Sequence, residues 1–313
     1  MAATANRLTI GLLAGGVGGA RAALALAENL PAAHLTFVVN TGDDFHHLGL
    51  PVWPDWDTVV YTLSGLGDAV RGWGRADEGT RAMEEFRRLD SPHWFHLGDR
   101  DLALHVHRNW ALSQQPADEV ARQIAERLGV NVPTLRVSEE SLNTEFVLDD
   151  GEVMDFQTWF VRHQGRPVVS AVRSQTEARI TPGVLEAIAG ADLLLLAPSN
   201  PYLSLFPMLD LPAVGQAVRG RSGPTWAVSP LVGGKAVKGP LDALIAQLSP
   251  HRGQQAIAEL YRPWIDRLLL PAEEISGIQG IGLKLQPCRT WLGSEEGRKA
   301  LVEDLLAAWN SAL

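Results

Sequence analysis

The chain alternates between short apolar runs and longer stretches with helical periodicity. LTIGLLA at residues 8–14 and LTFVVN at 35–40 are apolar runs of strand length, and an alanine-rich stripe between them predicts a helix. The run LLLLA at 193–197 empties into a Pro/Ser/Asn turn, which is typical of a strand buried in a parallel sheet. The pattern therefore predicts strand–helix–strand units built around parallel pairing.

Two segments interrupt this alternation. Residues 57–130 carry four successive stretches of helical periodicity, which predicts a helical insertion. Residues 144–160 alternate in polarity around Asp150-Gly151, a dipeptide that favours a hairpin turn, and we expect this β-hairpin to extend or cap one edge of the sheet. A terminal helix is predicted to begin after a capping serine, Ser294.

Three of the predicted strands end in loops of binding character, AGGVGGA, APSNP and SPLVGG. In open α/β sheets, ligands bind beyond the carboxyl ends of the strands, where the winding reverses. We therefore predict an α/β fold in which residues 1–313 form a single domain. Its core is a doubly wound, mostly parallel sheet that carries the helical insertion and the hairpin.

Composition narrows the function classes. The chain is 46% apolar, and no stretch approaches the roughly 18 uninterrupted apolar residues of a membrane-spanning helix. The first residues, MAATANR, lack an apolar run with a cleavage site, so we expect no secretion signal. One cysteine, Cys288, excludes an internal disulfide and a cysteine metal cage. A net charge of −9 argues against nonspecific nucleic-acid binding, and we expect a cytoplasmic enzyme.

The first strand leads into a glycine-rich turn. Its glycines are Gly15, Gly16, Gly18 and Gly19. Glycines let a backbone approach a phosphate, and the following helix N-terminus supplies free N–H donors. The dinucleotide fingerprint fails because Arg21 takes the place of its third glycine and the second strand closes on Asn40, and no Walker lysine follows. Phosphate or nucleotide contact, with Arg21 near the anion, is favoured over a simple tight turn.

An acidic cluster follows the second strand. Its members are Asp43, Asp44, Asp55 and Asp57. In an extended segment, residues two apart point the same way, so Asp55 and Asp57 are expected to face one site. Helix capping is the alternative for Asp57, and it is expected to explain Asp101 of LGDRD fully.

Capping does not explain four crowded carboxylates beside a phosphate loop, because like charges repel without a cation. Hard divalent cations prefer oxygen ligands, so the cluster predicts a phosphorylated substrate handled with Mg2+. Asp57 is the expected central residue, as metal ligand or as base. We expect the tryptophans near this cluster to pack in the core, and the histidines to be structural rather than zinc ligands.

Nine motifs occur in an order that is similar to one known family. They are GGVGGAR, VVNTGDDF, PDWDT, YTLSGL, RGWG, FHLGDRDLALH, FQTWFVRH, LAPSNP and SPLVGGKAVKG. The series, over residues 8–245, resembles the 2-phospho-L-lactate transferase family of coenzyme F420 biosynthesis. The resemblance implies a Rossmann-like fold, Mg2+ and a homodimer. It also implies transfer of phospholactate, phosphoenolpyruvate or phosphoglycerate from a guanylylated donor to the ribityl hydroxyl of the deazaflavin FO, with release of GMP.

The resemblance also implies roles for individual residues. The second aspartate of the family's P-D-x-D motif contacts FO, which places that role on Asp57, with Asp55 as the other expected catalytic residue. Asn40 and Asp44 are expected beside them, with Asp44 and Asp57 as metal ligands. The nucleotide and its phosphates are expected at the glycine loop with Arg21 and at the later loops, through Ser199, Asn200, Ser229, Gly233 and Lys235.

Three positions depart from the family pattern. His96 stands where an Arg or Lys commonly contacts FO, Glu139-Glu140 replace a common Asp pair, and LKLQPCRTWLGS at 283–294 replaces the usual closing segment. The alternatives are a nucleotide-sugar-binding regulator, an NAD(P) oxidoreductase and a transferase-like protein without activity. PDWDT together with GDRD favours the transferase over the regulator.

Overall fold

The structure is a computed structural model that describes residues 8–312. The N-terminal residues considered above for a secretion signal lie outside this range. Within it, no helix is both long enough and apolar enough to span a membrane.

The strands and helices alternate along most of the chain. In chain order the strands are β1 (Ile10–Ala14), β2 (Leu35–Val39), β3 (Phe45–His47), β4 (Leu50–Val52), β5 (Thr134–Arg136), β6 (Glu145–Leu148), β7 (Val153–Asp155), β8 (Val169–Arg173), β9 (Leu193–Leu196), β10 (Thr225–Val228), β11 (Leu231–Val232), β12 (Lys235–Ala236), β13 (Arg267–Leu270) and β14 (Lys284–Pro287). The α-helices are α1 (Gly16–Asn29), α2 (Pro54–Leu63), α3 (Arg81–Arg88), α4 (Asp99–Leu112), α5 (Ala117–Arg127), α6 (Val184–Gly190), α7 (Phe206–Leu209), α8 (Pro212–Gly220), α9 (Leu241–Leu248), α10 (Gly253–Tyr261) and α11 (Glu295–Asn310).

Seven strands form the central sheet in the order β14-β13-β10-β9-β1-β2-β5, and every neighbouring pair is parallel. The chain winds from β1 out to β5 and then returns to β9, which pairs with β1 through Ile10 opposite Leu193. The winding therefore reverses between β1 and β9. The predicted doubly wound, Rossmann-like α/β fold is confirmed, and its central sheet is parallel throughout.

Side chains of the central strands alternate between two hydrophobic cores. Leu12 and Phe37 enter one core together with α1, α2, α5 and α11. Their neighbours Leu13 and Val38 enter the other core with α6, α8, α9 and α10. This alternation is the period-two geometry of a strand, and helices on both faces explain why the strands read as continuous apolar runs.

The two interrupting segments have different structures. The stretch at 57–130 holds most of α2 and all of α3, α4 and α5, and α2 packs closely against α1. The hairpin forms from β6 and β7 around Gly151, whose φ is +86°. It joins β8 in a separate three-stranded antiparallel sheet rather than the edge of the central one. Phe146 and Trp159 of this region pack on Leu244 of α9, which holds the small sheet in place.

The glycine turn after β1 lies unusually close to other segments. A Cβ at Gly18 would lie 1.9 Å from the carbonyl oxygen of Pro198, and a Cβ at Gly15 would lie 2.2 Å from Oδ2 of Asp55. Gly16 has a φ of +59°, which L side chains rarely adopt. The turn therefore needs glycines for packing and for backbone conformation at once.

Gly18→Ala is expected to lower the free energy of unfolding by about 1–3 kcal/mol, because the new methyl group overpacks against the Pro198 carbonyl. Urea denaturation measures the change. Gly190→Ala is the matched control, since a Cβ there meets no neighbouring atom within 4 Å. Equal unfolding midpoints for Gly18→Ala and the wild type would show that the turn is not as close-packed as described.

Candidate active site

A cavity of about 650 Å³ opens beside the point where the winding of the sheet reverses. This is the place where open α/β sheets bind ligands. Its lining comes from the glycine turn, the start of α2, residues 94–96, residues 198–200 after β9, residues 236–241 and residues 290–292.

Most of the predicted site residues line this cavity. They are Gly15, Gly16, Gly18, Arg21, Asp55, Asp57, His96, Ser199, Asn200 and Ser229. The predicted residues that do not line it are Gly19, Asn40, Asp44, Gly233 and Lys235. Asn40 and Asp44 are buried. Asn40 donates a hydrogen bond to Asp55, and Asp44 forms an ion pair with Arg136. Gly233 and Lys235 are exposed on the β11–β12 hairpin.

Asp55 connects the ends of the first two strands. Its Oδ1 accepts a hydrogen bond from the Gly16 amide at 2.7 Å, and its Oδ2 accepts one from Asn40 Nδ2 at 2.9 Å. Asn40 also donates to the Leu203 carbonyl at 3.0 Å, which brings in the segment after β9. Asn40 is therefore a support for Asp55, not part of the cavity wall.

The local geometry of the aspartates differs from the prediction. α2 begins at Pro54 and contains Asp55 and Asp57 in its first turn, with Trp53 at the N-cap. The expectation of an extended segment and the alternative of capping by Asp57 are both wrong. Proline is favoured in the first helical turn because its missing N–H has no partner there, and this starts the helix earlier than expected.

Capping by Asp101 is also wrong, because α4 starts at Asp99 with Gly98 at its N-cap. The Asp101 carboxylate instead accepts a hydrogen bond from the Tyr61 hydroxyl at 2.6 Å. Its Oδ1 lies 3.5 Å from His105 Nε2. Since Arg108 can only donate to His105 Nδ1, at 3.0 Å, the neutral imidazole carries its proton on Nε2, facing Asp101.

Two of the four clustered aspartates pair with buried arginines. Both oxygens of Asp57 accept from Arg108, one of them at 3.1 Å. Arg136 Nη2 lies 2.8 Å from Asp44 Oδ2. Both guanidinium groups lie over the Trp53 ring, 4.2 Å and 3.7 Å from its centroid.

These pairs bear on the expected metal ligands. Burial raises the pKa of Asp44 to about 7, and the charge of Arg136 opposes the rise. Once ionised, Asp44 has its countercharge within the protein, as Asp57 has in Arg108. A cation at either carboxylate would have to compete with a guanidinium that is already in place.

The other two aspartates have no cationic partner among residues 8–312. Oδ1 of Asp43 is buried and accepts no hydrogen bond in this range. Burial, followed by the charges of Asp55 and Asp44, raises the pKa of Asp43 well above its usual range. Burial also raises the pKa of Asp55 to about 6, although Asn40 and the Gly16 amide donate to it.

Asp43 and Asp55 therefore fit a divalent cation better than the expected pair, Asp44 and Asp57. An orphaned carboxylate oxygen beside a second buried carboxylate is a donor set that hard cations prefer. Among the described residues, no group of three or more His, Cys, Asp or Glu side chains is arranged to hold a metal. Two carboxylates suit Mg2+, which commonly takes its remaining ligands from water and substrate phosphates.

Cationic groups and free amides line the glycine-turn part of the cavity. Burial lowers the pKa of Arg21, and Arg298 adds to the effect. Burial, with Arg21, also lowers the pKa of Lys238, whose Nζ donates to the carbonyls of Val70 and Arg71. The amides of Val17 and Gly18 in the first turn of α1 donate to no atom of residues 8–312, as is usual for a helix start.

The structure selects Lys238, not Lys235, as the lysine of the cavity wall. The two lie three residues apart in one glycine-rich loop, and only the β11–β12 hairpin distinguishes them. Two cations and two free amides form an anion site that suits phosphates.

Aromatic side chains form a third part of the lining. They are Tyr61, Trp73, Trp94, Phe95, Phe156, Phe160 and Trp291. Phe95 packs edge-on against Phe45 at 4.8 Å between ring centroids, which supports this wall from behind. Trp53 and Trp56 are buried, which confirms core packing for those two, whereas Trp73 and Trp94 face the cavity.

Arg108→Met is expected to lower the free energy of unfolding by about 3–5 kcal/mol, since it leaves the buried Asp57 carboxylate without a countercharge. Urea denaturation tests this, and Asp57→Leu combined with Arg108→Met should recover part of the loss. Arg122→Met is the control, because that arginine is half-exposed and its ion pairs contribute about 1 kcal/mol or less. Similar losses for Arg108→Met and Arg122→Met would contradict the buried pair.

The chain has relatives among known proteins. Residues 10–279 match the model of the family described as 2-phospho-L-lactate transferase CofD. A protein named phosphoenolpyruvate transferase from Streptomyces coelicolor is 37% identical over 261 residues, 81% of this chain and 82% of its own. Another of that name from Mycolicibacterium smegmatis is 36% identical over 303 residues, 90% of this chain and 93% of its own.

A solved structure of a UPF0052 family protein from Bacillus halodurans covers 86% of this chain and 82% of its own, with a TM-score of 0.55 and 16% identity. A second structure of that protein covers 94% and 90%, with a TM-score of 0.58 and 15% identity. At this identity the likeness shows the fold alone. The match over residues 10–279 and the relatives above 30% identity confirm the resemblance found in the sequence, and the chain belongs to the 2-phospho-L-lactate transferase CofD family.

Proposed function

We propose that the protein transfers a phospho-acid group, in the presence of Mg2+, from a guanosine diphosphate-linked donor to the ribityl hydroxyl of the deazaflavin FO, releasing GMP. Family membership makes the chain a transferase of coenzyme F420 biosynthesis. One observation supports the proposed donor and metal: a single cavity combines Arg21, Lys238 and two free amides with the carboxylates of Asp43 and Asp55, which have no cationic partner among residues 8–312.

Phosphoenolpyruvate is the phospho-acid that we propose for the donor. The relatives from Streptomyces coelicolor and Mycolicibacterium smegmatis carry the name phosphoenolpyruvate transferase, and they align with most of this chain. Phospholactate and phosphoglycerate are the alternatives within the family pattern.

The donor phosphates would lie over the glycine turn. The amides of Val17 and Gly18 are free in the first turn of α1, where the helix dipole also favours an anion. Arg21 and Lys238 would neutralise phosphate charge. Mg2+, held by Asp43 and Asp55, would stabilise the charge that develops on the phosphoryl oxygens.

The acceptor hydroxyl would be oriented by Asp57. Phosphoryl transfer depends on alignment and charge neutralisation rather than on a covalent nucleophile. Arg108 holds both oxygens of Asp57, which fixes the side chain while it lines the cavity. In this position Asp57 would accept a hydrogen bond from the attacking hydroxyl. Trp94, Phe95 and His96 give the deazaflavin ring a wall to pack against.

The homodimer and the cytoplasmic location stay predictions. Size-exclusion chromatography with light scattering measures the first, and cell fractionation measures the second.

A coupled assay tests the proposed reaction. Purified protein is incubated with FO, Mg2+, GTP, the matching guanylyltransferase and each of the three phospho-acids. Mass spectrometry is expected to detect an FO adduct, formed fastest with phosphoenolpyruvate, and Asp57→Asn should greatly reduce it. Absence of an adduct with every acid, despite measurable FO or GDP binding, would favour a non-catalytic relative such as a nucleotide-binding regulator.

A second experiment tests the proposed cation ligands through pH. The raised pKa values mean that Asp43 and Asp55 are protonated in the folded protein at pH values where the unfolded chain has lost these protons. Without Mg2+, the stability that Asp55 contributes is full below about pH 4 and is lost as pH rises through about 6, and the contribution of Asp43 changes in the same direction. Mg2+ must displace the protons that remain on Asp43 and Asp55. The stabilisation of the folded protein by Mg2+ should therefore be strong above pH 7 and disappear as pH falls below 6.

Thermal unfolding with and without Mg2+ across this pH range measures the effect. Asp43→Asn should abolish the Mg2+-dependent rise in Tm, whereas Asp150→Asn, on the exposed hairpin turn, should leave it intact. A rise that survives Asp43→Asn but is lost in Asp44→Asn would return the metal to the ligand expected from the sequence.

A further inference from the structure

The segment after β14 contributes to the cavity although it lies beyond the part of the chain that matches the family. The match ends at residue 279, whereas Thr290, Trp291 and Leu292 line the cavity. These residues belong to the stretch at 283–294, where the sequence departs from the family pattern. No role in the reaction described above falls to them.

The segment is held firmly at both ends. Arg289 forms an ion pair with Asp304 of α11 at 2.6 Å, and the Cys288 amide donates to the Leu270 carbonyl at 2.9 Å. Leu292 is buried in the core that contains α1. Ser294 then caps α11, as predicted, by accepting from the Gly297 amide at 3.2 Å. Thr290 and Trp291 are therefore presented to the cavity by a fixed backbone.

The two side chains leave binding capacity unused. Thr290 is 6% exposed, and its hydroxyl has no hydrogen-bond partner among residues 8–312. A buried hydroxyl without a partner is costly, so a ligand atom that bonds to it would be favoured. Trp291 lines the same cavity and is 51% exposed as a residue, which leaves its indole available to a second aromatic system.

The position of α11 indicates which part of the donor or acceptor lies here. α11 packs against α1, and Arg298 Nε lies 2.7 Å from Glu28 Oε2. Arg298 is also close enough to Arg21 for its charge to lower the pKa of that guanidinium. α11 and the segment before it therefore lie along the helix that follows the glycine turn, and Thr290 and Trp291 line the same cavity as Arg21 and Lys238 of the anion site. In the proposed donor, the flat ring that is attached to the phosphates is the nucleobase.

We propose that Thr290 and Trp291 form the base subsite for the guanine nucleotide of the donor. Trp291 stacks on the purine, and the Thr290 hydroxyl forms a hydrogen bond with an edge of the base. The subsite rests on the proposed function, because it assumes that the donor carries a nucleotide whose phosphates lie at the glycine turn.

Isothermal titration calorimetry with GMP, AMP and inorganic pyrophosphate, in the presence of Mg2+, tests the subsite. Trp291→Ala is expected to weaken GMP and AMP binding alike, by about 5- to 100-fold, since stacking does not distinguish the bases. Trp291→Phe should retain most of the affinity. Thr290→Val keeps the shape of the side chain but removes the hydroxyl. It should reduce the ratio of the GMP affinity to the AMP affinity by roughly 2- to 10-fold.

Pyrophosphate affinity should stay unchanged in these variants, which shows that the fold and the phosphate site are intact. Trp110→Ala is the control, because Trp110 is 59% exposed and does not line the cavity. FO is titrated in the same way. Unchanged GMP affinity in Trp291→Ala, or a loss of affinity confined to FO, would overturn the base subsite and leave the transferase proposal standing. A wild-type protein that binds no guanine nucleotide would overturn both.

Discussion

The buried carboxylate of Asp55 holds together the elements on which the cavity depends. It accepts hydrogen bonds from the Gly16 amide and from Asn40, and so joins the ends of β1 and β2 to the first turn of α2. Gly15 must lack a side chain because a Cβ there would lie 2.2 Å from Asp55 Oδ2. The conformation of the glycine turn is therefore set by its contacts with a carboxylate of the protein itself. The amides that remain for a phosphate are the next two, those of Val17 and Gly18.

Charge compensation divides the acidic cluster into two functions. Arg136 and Arg108 neutralise Asp44 and Asp57 within the protein, and removing either arginine would leave a buried charge unpaired. Asp43 and Asp55 have no such partner in the described part of the chain, and burial raises the pKa of both carboxyl groups. A divalent cation would relieve that cost and at the same time attract the donor phosphates toward Arg21. The stability of the site and its proposed chemistry thus depend on the same unpaired charges.

The sequence predicts the sheet better than it predicts the partners of individual side chains. The apolar runs at 8–14 and 193–197 become adjacent parallel strands, because strands buried on both faces leave an unmistakable local pattern. The pairing of Arg108 with a carboxylate 51 residues earlier has no local signal, since the contact exists only after α4 packs near α2. The helix predicted from residue 57 begins three residues earlier, at Pro54, because its acidic first turn resembles a loop in the sequence. The sequence does not distinguish Lys238 from Lys235. In the structure, Lys235 belongs to the β11–β12 hairpin, whereas Lys238 follows the hairpin and lines the cavity.

The division between paired and unpaired carboxylates can be measured directly. Crystals grown with GMP and Mn2+, a substitute for Mg2+ with a strong anomalous signal, would show which side chains hold the cation. An anomalous peak beside the carboxylates of Asp43 and Asp55 is the predicted result. A peak beside Asp44 and Asp57, with their arginines displaced, would contradict it.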